Sequence, residues 1–141
     1  MQYCGLHPNT HPGKSFVSGP TGETTINYII KYGDKVVLYA CDTAWFICES
    51  WHEIRRHKFD AVILDCTVGD VEGDYRIFEH NNIGMVEIMA QTMRKCGVIN
   101  AGGRIIVSHM ARTLHTSHAE LRLRLETSDI LPAYDGMTVC L

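Results

Sequence analysis

Asp60-Ala61-Val62-Ile63-Leu64-Asp65-Cys66 is an almost unbroken apolar run that ends in a carboxylate. A strand with one face in water alternates apolar and polar residues. A run without alternation suits a strand buried on both faces, as in a layered α/β structure. Upstream, Thr25–Lys31 and Lys35–Cys41 read as two strands, joined by Tyr32-Gly33-Asp34 in the manner of a hairpin. Ser50-Trp51-His52-Glu53 has the form of a capping box and predicts a short helix over Trp51–His57. Downstream, a charged loop from Thr67 to His80 leads to Asn81 or Asn82, either of which can cap a helix. Ile83, Val86, Met89, Ala90 and Met93 fall on one face of that helix, and Gly97 is placed to end it. Arg104–Val107 reads as a third buried strand running into Ser108-His109. Ser117-His118-Ala119-Glu120 is a second capping box, opening a helix to about Glu126. Two short strands are expected near Ile130–Tyr134 and Met137–Leu141, flanking Asp135-Gly136.

The resulting order is β-β-α-β-α-β-α-β, one continuous mixed α/β unit over residues 25–141. Residues 1–24, rich in Gly, Pro, Ser, Thr and His, read as an irregular N-terminal segment. The whole chain is 141 residues and 45% hydrophobic, enough for one moderate core. Its net charge of −3 argues against non-specific nucleic-acid binding, which needs a basic face. No stretch of 18 apolar residues is present to span a membrane. The opening MQYCGLHPNTHPGKS has no apolar core behind a basic end, so the expectation is a cytoplasmic protein without a signal peptide. None of the 6 cysteines forms a C-x-x-C pair, and they are expected to be reduced core thiols. Met85, Met89 and Met93 read as helix core rather than as a soft-metal site.

Asp42, Asp65 and His109 each sit just past or at the end of an apolar strand, and His80 sits at a loop-to-helix junction. Sites in layered α/β folds gather where strands end and loops begin. A carboxylate presented with imidazoles is a ligand set for Zn²⁺ or Mn²⁺. Taken singly, each has a plainer reading: Asp42 before Thr43 can cap a turn, Asp65 can accept a loop-start hydrogen bond, and His109 can be an ordinary buried or surface histidine. Spacing alone leaves both readings open.

Leu38-Tyr39-Ala40-Cys41-Asp42-Thr43 resembles the Y-x-x-D-T segment of metallo-β-lactamase-fold hydrolases, whose aspartate bridges two metals. Ile63-Leu64-Asp65-Cys66-Thr67 is similar to the next strand in the branch containing the cyclic-phosphate phosphodiesterase of the carbon–phosphorus lyase pathway. Glu79-His80-Asn81-Asn82-Ile83 looks like that branch's N-H-x-x-x-N segment, whose histidine lies beside the substrate phosphate. Arg104–His109 resembles the strand ending in Thr/Ser-His, and Tyr134-Asp135-Gly136-Met137 the closing F/Y-D-G-M. The resemblance runs over residues 25–141 and implies the C-terminal half of the αββα sandwich. It implies metal-dependent hydrolysis of a phosphodiester or cyclic phosphate, with two divalent ions (Zn or Mn) in the complete enzyme. By the same resemblance Asp42 and His109 are metal ligands, with His11 a third candidate and His7 its rival. His80 is the catalytic group facing phosphate. Asp65 or Asp135 orients a ligating imidazole, and His115 or His118 matches a supporting histidine.

The family's central H-x-H-x-D-H signature does not occur in these residues. The expectation is therefore a partial site that binds metal weakly and is inactive alone. The alternative is a non-catalytic interaction or structural module of the same fold. Expected partners are a small phosphorylated substrate and either a second copy of the chain, as a homodimer, or an N-terminal half that these residues lack.

Overall fold

The computed structural model describes residues 2–6 and 25–141. They form one six-stranded sheet in the order β1-β2-β3-β4-β5-β6. β1 (Gln2–Leu6), β2 (Asn27–Tyr32) and β3 (Lys35–Ala40) pair antiparallel. β4 (Phe59–Asp65), β5 (Ile99–Ser108) and β6 (Ile130–Pro132) follow β3 in parallel. Parallel neighbours require crossovers, which α1 (Cys48–Ile54), α2 (Ile83–Lys95) and α3 (His118–Glu126) supply. With the strands in sequential order and crossovers of one hand, all helices fall on the same face of the sheet.

That face holds the core. Ile29, Leu38, Val62, Leu64, Ile105 and Val107 of the sheet meet Val86, Met89 and Met93 of α2 and Leu121 and Leu125 of α3, all buried. The expected α2 face is the observed one, and Met89 and Met93 are core, whereas Met85 is only partly buried and lies outside it. Asn82 caps α2 by accepting from Met85 N at 2.8 Å, and Gly97, at φ 65°, ends it. Ser117 and Glu120 form the expected capping box on α3. The opposite face carries Tyr28, Tyr39, Ile63, Ile106 and Leu131 in register across β2 to β6. Tyr28, Tyr39 and Leu131 there are more than a third exposed.

Four sequence expectations need correction. Gln2–Leu6 is not loop but an edge strand, added antiparallel to β2; residues 1 and 7–24 lie outside the described structure. α1 begins three residues before the expected helix, at Cys48, with Ile47 in extended conformation at its start and no side-chain cap. Phe46 packs edge-on against Trp51 at 5.3 Å, which fixes the start of the helix early and turns Ser50 and Ile54 into its buried face. No strand forms over residues 137–141. Pro132 lacks an amide hydrogen and ends β6, and the chain then turns at Tyr134–Met137 without returning alongside the sheet. Cys41, Cys48, Cys66, Cys96 and Cys140 are free; Cys41 and Cys66 are buried, and Cys48, Cys96 and Cys140 are exposed. Among the described residues no helix is long and apolar enough to cross a membrane.

Candidate metal centre

Register places the site. In parallel strands the C-terminal ends align, and here Ala40 pairs with Leu64, Leu64 with Val107, and Asp65 with Ser108. Asp42, Asp65 and His109 therefore emerge along one edge of the sheet. Asp42 (φ 56°) and His109 (φ 59°) both lie in the left-handed region, which costs a non-glycine residue about 1 kcal/mol or more. Asp129, outside this group, shares the conformation at φ 50°, so strain alone does not mark the site.

His80 reaches the same point from the loop before α2, after a single 3₁₀ turn (Tyr75–Phe78) capped by Asp74. Its Nδ1 lies 3.1 Å from Asp65 Oδ2 and 3.8 Å from Asp42 Oδ1. His109 Nδ1 also lies 3.1 Å from Asp65 Oδ2, and its Nε2 is 3.8 Å from Asp42 Oδ1. The two imidazoles are stacked, with centroids 5.4 Å apart. One ligand atom from each of Asp42, Asp65, His80 and His109 falls within 4.8 Å of the others. Burial grades across the cluster: the Asp65 side chain is 0% exposed, His80 18%, His109 44% and Asp42 64%.

This donor set fits a divalent ion of the zinc or manganese type, which takes mixed imidazole and carboxylate ligands. Ligand atoms bound at about 2.1 Å in a tetrahedron stand roughly 3.4 Å apart. The 3.8 Å between Asp42 Oδ1 and His109 Nε2 is within a small side-chain rotation of that. The outer pair, Asp42 and His109, faces solvent, whereas Asp65 is enclosed behind it.

Asp65 is held by an Asx-type turn: its Oδ1 accepts from Thr67 N at 2.9 Å, and from Asn81 N at 3.2 Å. Sequence reasoning left both Thr67 and Asn81 out of the site. The Thr67 hydroxyl lies within 3.2 Å of Asp65, His80 and His109 together. Asn81 is fully buried and ties the His80 loop to Thr43 O at 3.0 Å. The available signal was Asp-x-Thr at a buried strand end, a turn-forming pattern that reads as structural until the histidines are in place.

The remaining candidates lie apart from the four-donor cluster. Asp135 lines a cavity of about 450 Å³ that also takes in Thr67, Ser108, His109 and Tyr134. His115 Nε2 is 2.7 Å from Cys66 O, so it braces the chain between Asp65 and Thr67. His118 Nε2 is 3.3 Å from Pro132 O, and its ring stands edge-on to Tyr134. His11 and its rival His7 lie outside the described residues. Burial pushes the Cys66 thiol up to about 12 and the Cys41 thiol to about 11, so both are protonated thiols at neutral pH in the metal-free chain.

No family model matches this chain, and no curated protein sequence matches it significantly. Solved structures do. The chain is similar to a diphosphatase from the PhnP family, at TM-score 0.61 and 15% identity over 85% of this chain and 39% of that one. It is similar to the metallo-β-lactamase-fold protein YhfI from Bacillus subtilis, at TM-score 0.60 and 16% identity over 96% of this chain and 48% of that one. A possible metal-dependent hydrolase from Veillonella parvula matches at TM-score 0.59 and 17% identity, over 84% of this chain and 45% of that one. The chain thus spans less than half the length of each of these structures. At such identities the likeness is one of fold: the sheet and its helices are those of part of a metallo-β-lactamase-fold domain.

Proposed function

We propose that this chain carries part of the metal site of a metallo-β-lactamase-fold hydrolase that acts on a phosphodiester or cyclic phosphate. The observation that carries the proposal is the convergence of Asp42, Asp65, His80 and His109 at the C-terminal edge of the sheet. Asp42 and His109, the two exposed donors, hold the ion; a bound divalent ion supplies Lewis acidity toward a phosphoryl oxygen. His80, held at Nδ1 by the Asp65 carboxylate, presents its other ring nitrogen toward a phosphate oxygen and donates a hydrogen bond there in the imidazolium form. The cavity lined by Ser108, Tyr134 and Asp135 receives the rest of the substrate. The phosphate class draws support from the His80 segment and from the PhnP-family diphosphatase among the fold neighbours. The described donors suffice for one ion, and a second needs imidazoles from outside them.

Phosphorus-31 line broadening of dimethyl phosphate by the Mn²⁺-loaded chain tests the reading. Broadening is expected, reduced in His80→Ala and abolished in Asp42→Ala. Mn²⁺ bound with no effect on the phosphate signal would remove the phosphate class. A second reading, a non-catalytic module of the same fold, is favoured by the lack of an H-x-H-x-D-H signature in these 141 residues. Hydrolysis of bis-p-nitrophenyl phosphate can exclude the second reading. The isolated chain is expected to show none, and turnover lost with EDTA and with Asp42→Ala would rule out the module.

A further inference from the structure

A buried carboxylate stays charged only when donors meet its lone pairs. At the fully buried Asp65, two backbone amides, Thr67 N and Asn81 N, satisfy Oδ1. Oδ2 has a different set of neighbours: the Thr67 hydroxyl at 3.2 Å and Nδ1 of both His80 and His109 at 3.1 Å. The Thr67 hydroxyl in turn stands 2.8 Å from His109 Nδ1, 3.1 Å from His80 Nδ1 and 2.8 Å from the His109 carbonyl oxygen.

Counting protons leaves one assignment. A neutral imidazole carries its hydrogen on one nitrogen and a lone pair on the other. A lone pair on His80 Nδ1 would face the lone pairs of Asp65 Oδ2, and a lone pair on His109 Nδ1 would need the proton of its hydrogen-bond partner, the Thr67 hydroxyl. The hydroxyl has a single proton, so it could relieve one ring and not the other, and the His109 carbonyl would then go without it. With hydrogen on both Nδ1 atoms, Oδ2 and the Thr67 oxygen accept from the two rings, and the hydroxyl proton goes to the His109 carbonyl. We infer that Asp65 and Thr67 form a shared clamp that fixes both His80 and His109 as the Nδ1–H tautomer, leaving Nε2 the one free lone pair on each ring.

Nε2 of His109 is the nitrogen that faces Asp42 Oδ1, at 3.8 Å. The clamp thus aims a lone pair, rather than an N–H, at the place where an ion would sit. Asp65 and Thr67 are positioning residues that act through the histidines. The consequence for metal affinity rests on the metal-site reading above; the tautomers themselves do not.

Long-range ¹H–¹⁵N correlation spectra of the metal-free chain, labelled at histidine and held at alkaline pH where imidazoles are ordinarily neutral, read the tautomers directly. His80 and His109 are expected to show a protonated Nδ1 and a lone-pair Nε2. His115, whose Nε2 donates to the Cys66 carbonyl, is expected to show the reverse and serves as an internal control. Asp65→Asn keeps an oxygen for the two backbone amides and turns an NH₂ toward the rings. It is expected to switch both histidines to Nε2–H while His115 is unchanged. Thr67→Val, close in shape, is expected to shift His109 toward a mixture of tautomers and carries the test if Asp65→Asn does not fold. A protonated Nε2 on either ring of the wild-type chain at that pH would overturn the inference, as would Asp65→Asn with both tautomers unaltered. Zinc calorimetry on the same variants is expected to show at least a tenfold loss for Asp65→Asn. Correct tautomers with no zinc binding would leave the clamp standing and remove the metal site instead.

Discussion

A methyl group at Gly69 is the smallest change expected to disturb the whole site. Gly69 is buried, and a Cβ built there would stand 2.0 Å from the Leu114 carbonyl oxygen and 3.5 Å from His115 Nδ1. The closest ordinary carbon–oxygen contacts are roughly 3.3 Å, so backbone must move by more than about 1 Å. What moves is the 111–115 turn, tied to Thr67 O by Ala111 N at 3.3 Å and to Cys66 O by His115 Nε2 at 2.7 Å. Overpacking of this kind costs about 1–3 kcal/mol, and the lost histidine hydrogen bond about 1 kcal/mol more. Reduced unfolded-state entropy returns about 0.5 kcal/mol, for a net loss of roughly 1.5–3.5 kcal/mol. Urea denaturation of Gly69→Ala measures it as a lowered midpoint at unchanged slope. Gly73→Ala is the comparator. At φ 69°, with nothing within 4 Å of an added Cβ, its cost is conformational only, about 1 kcal/mol. A Gly69→Ala loss below about 0.5 kcal/mol, or one no larger than that of Gly73→Ala, would refute the close packing of the 111–115 turn against the site.

Three further outcomes are open to direct measurement. Arg124 binds Glu87 through both oxygens at 2.7 and 2.9 Å, joining α3 to α2, and with Ser128 it holds the Glu87 carboxyl below its usual range. A depressed carboxyl stabilises the fold above its unfolded pKa of about 4.3 and loses that contribution as pH falls through the folded value. Glu87→Gln should cost about 0.5–1 kcal/mol at pH 7, since Arg124 is partly exposed, and progressively less as pH falls below the unfolded pKa of about 4.3; a deficit that does not shrink with falling pH would contradict this. Cys48, Cys96 and Cys140 should react with a thiol reagent in the native protein at pH 8, whereas buried Cys41 and Cys66 should react only on unfolding. Fast native modification of Cys66 would mean that β4 is less enclosed than it is here. The helix-free face, a sheet six strands wide, offers roughly 450 Å² per copy, less than the about 800 Å² of a standard partner surface. A reversible twofold dimer that dissociates on dilution is therefore expected in sedimentation, weakened by Tyr39→Lys; a single-chain mass at every concentration would count against it.

Much of the layout is legible in the sequence. Residues 60–66 announce a doubly buried strand because burial on both faces removes alternation, and α2 is readable because Asn82, Gly97 and its apolar stripe all agree. The errors have local causes. Ser50 and Glu53 have the spacing of a capping box, but the Phe46–Trp51 contact fixes the helix start and overrides it. The short strand Gln2–Leu6 contains Gly5 and gains its pairing only from β2, so nothing local marks it. Met137–Leu141 has strand-like composition but no neighbour beside which to lie. At the site, strand ends predict which side chains converge. They do not predict Thr67, because a hydroxyl shared among Asp65, His80 and His109 is a property of three segments meeting in space.

The central claim is that Asp42 and His109, backed by His80 and Asp65, hold a divalent ion, and calorimetric titration of the metal-free chain with Zn²⁺ and Mn²⁺ tests it most directly. Saturable binding of one ion per chain is expected, weakened at least tenfold by Asp42→Ala and by His109→Ala, with His118→Ala unchanged as a control outside the cluster. Absence of saturable binding, or binding that survives both Asp42→Ala and His109→Ala, would contradict it.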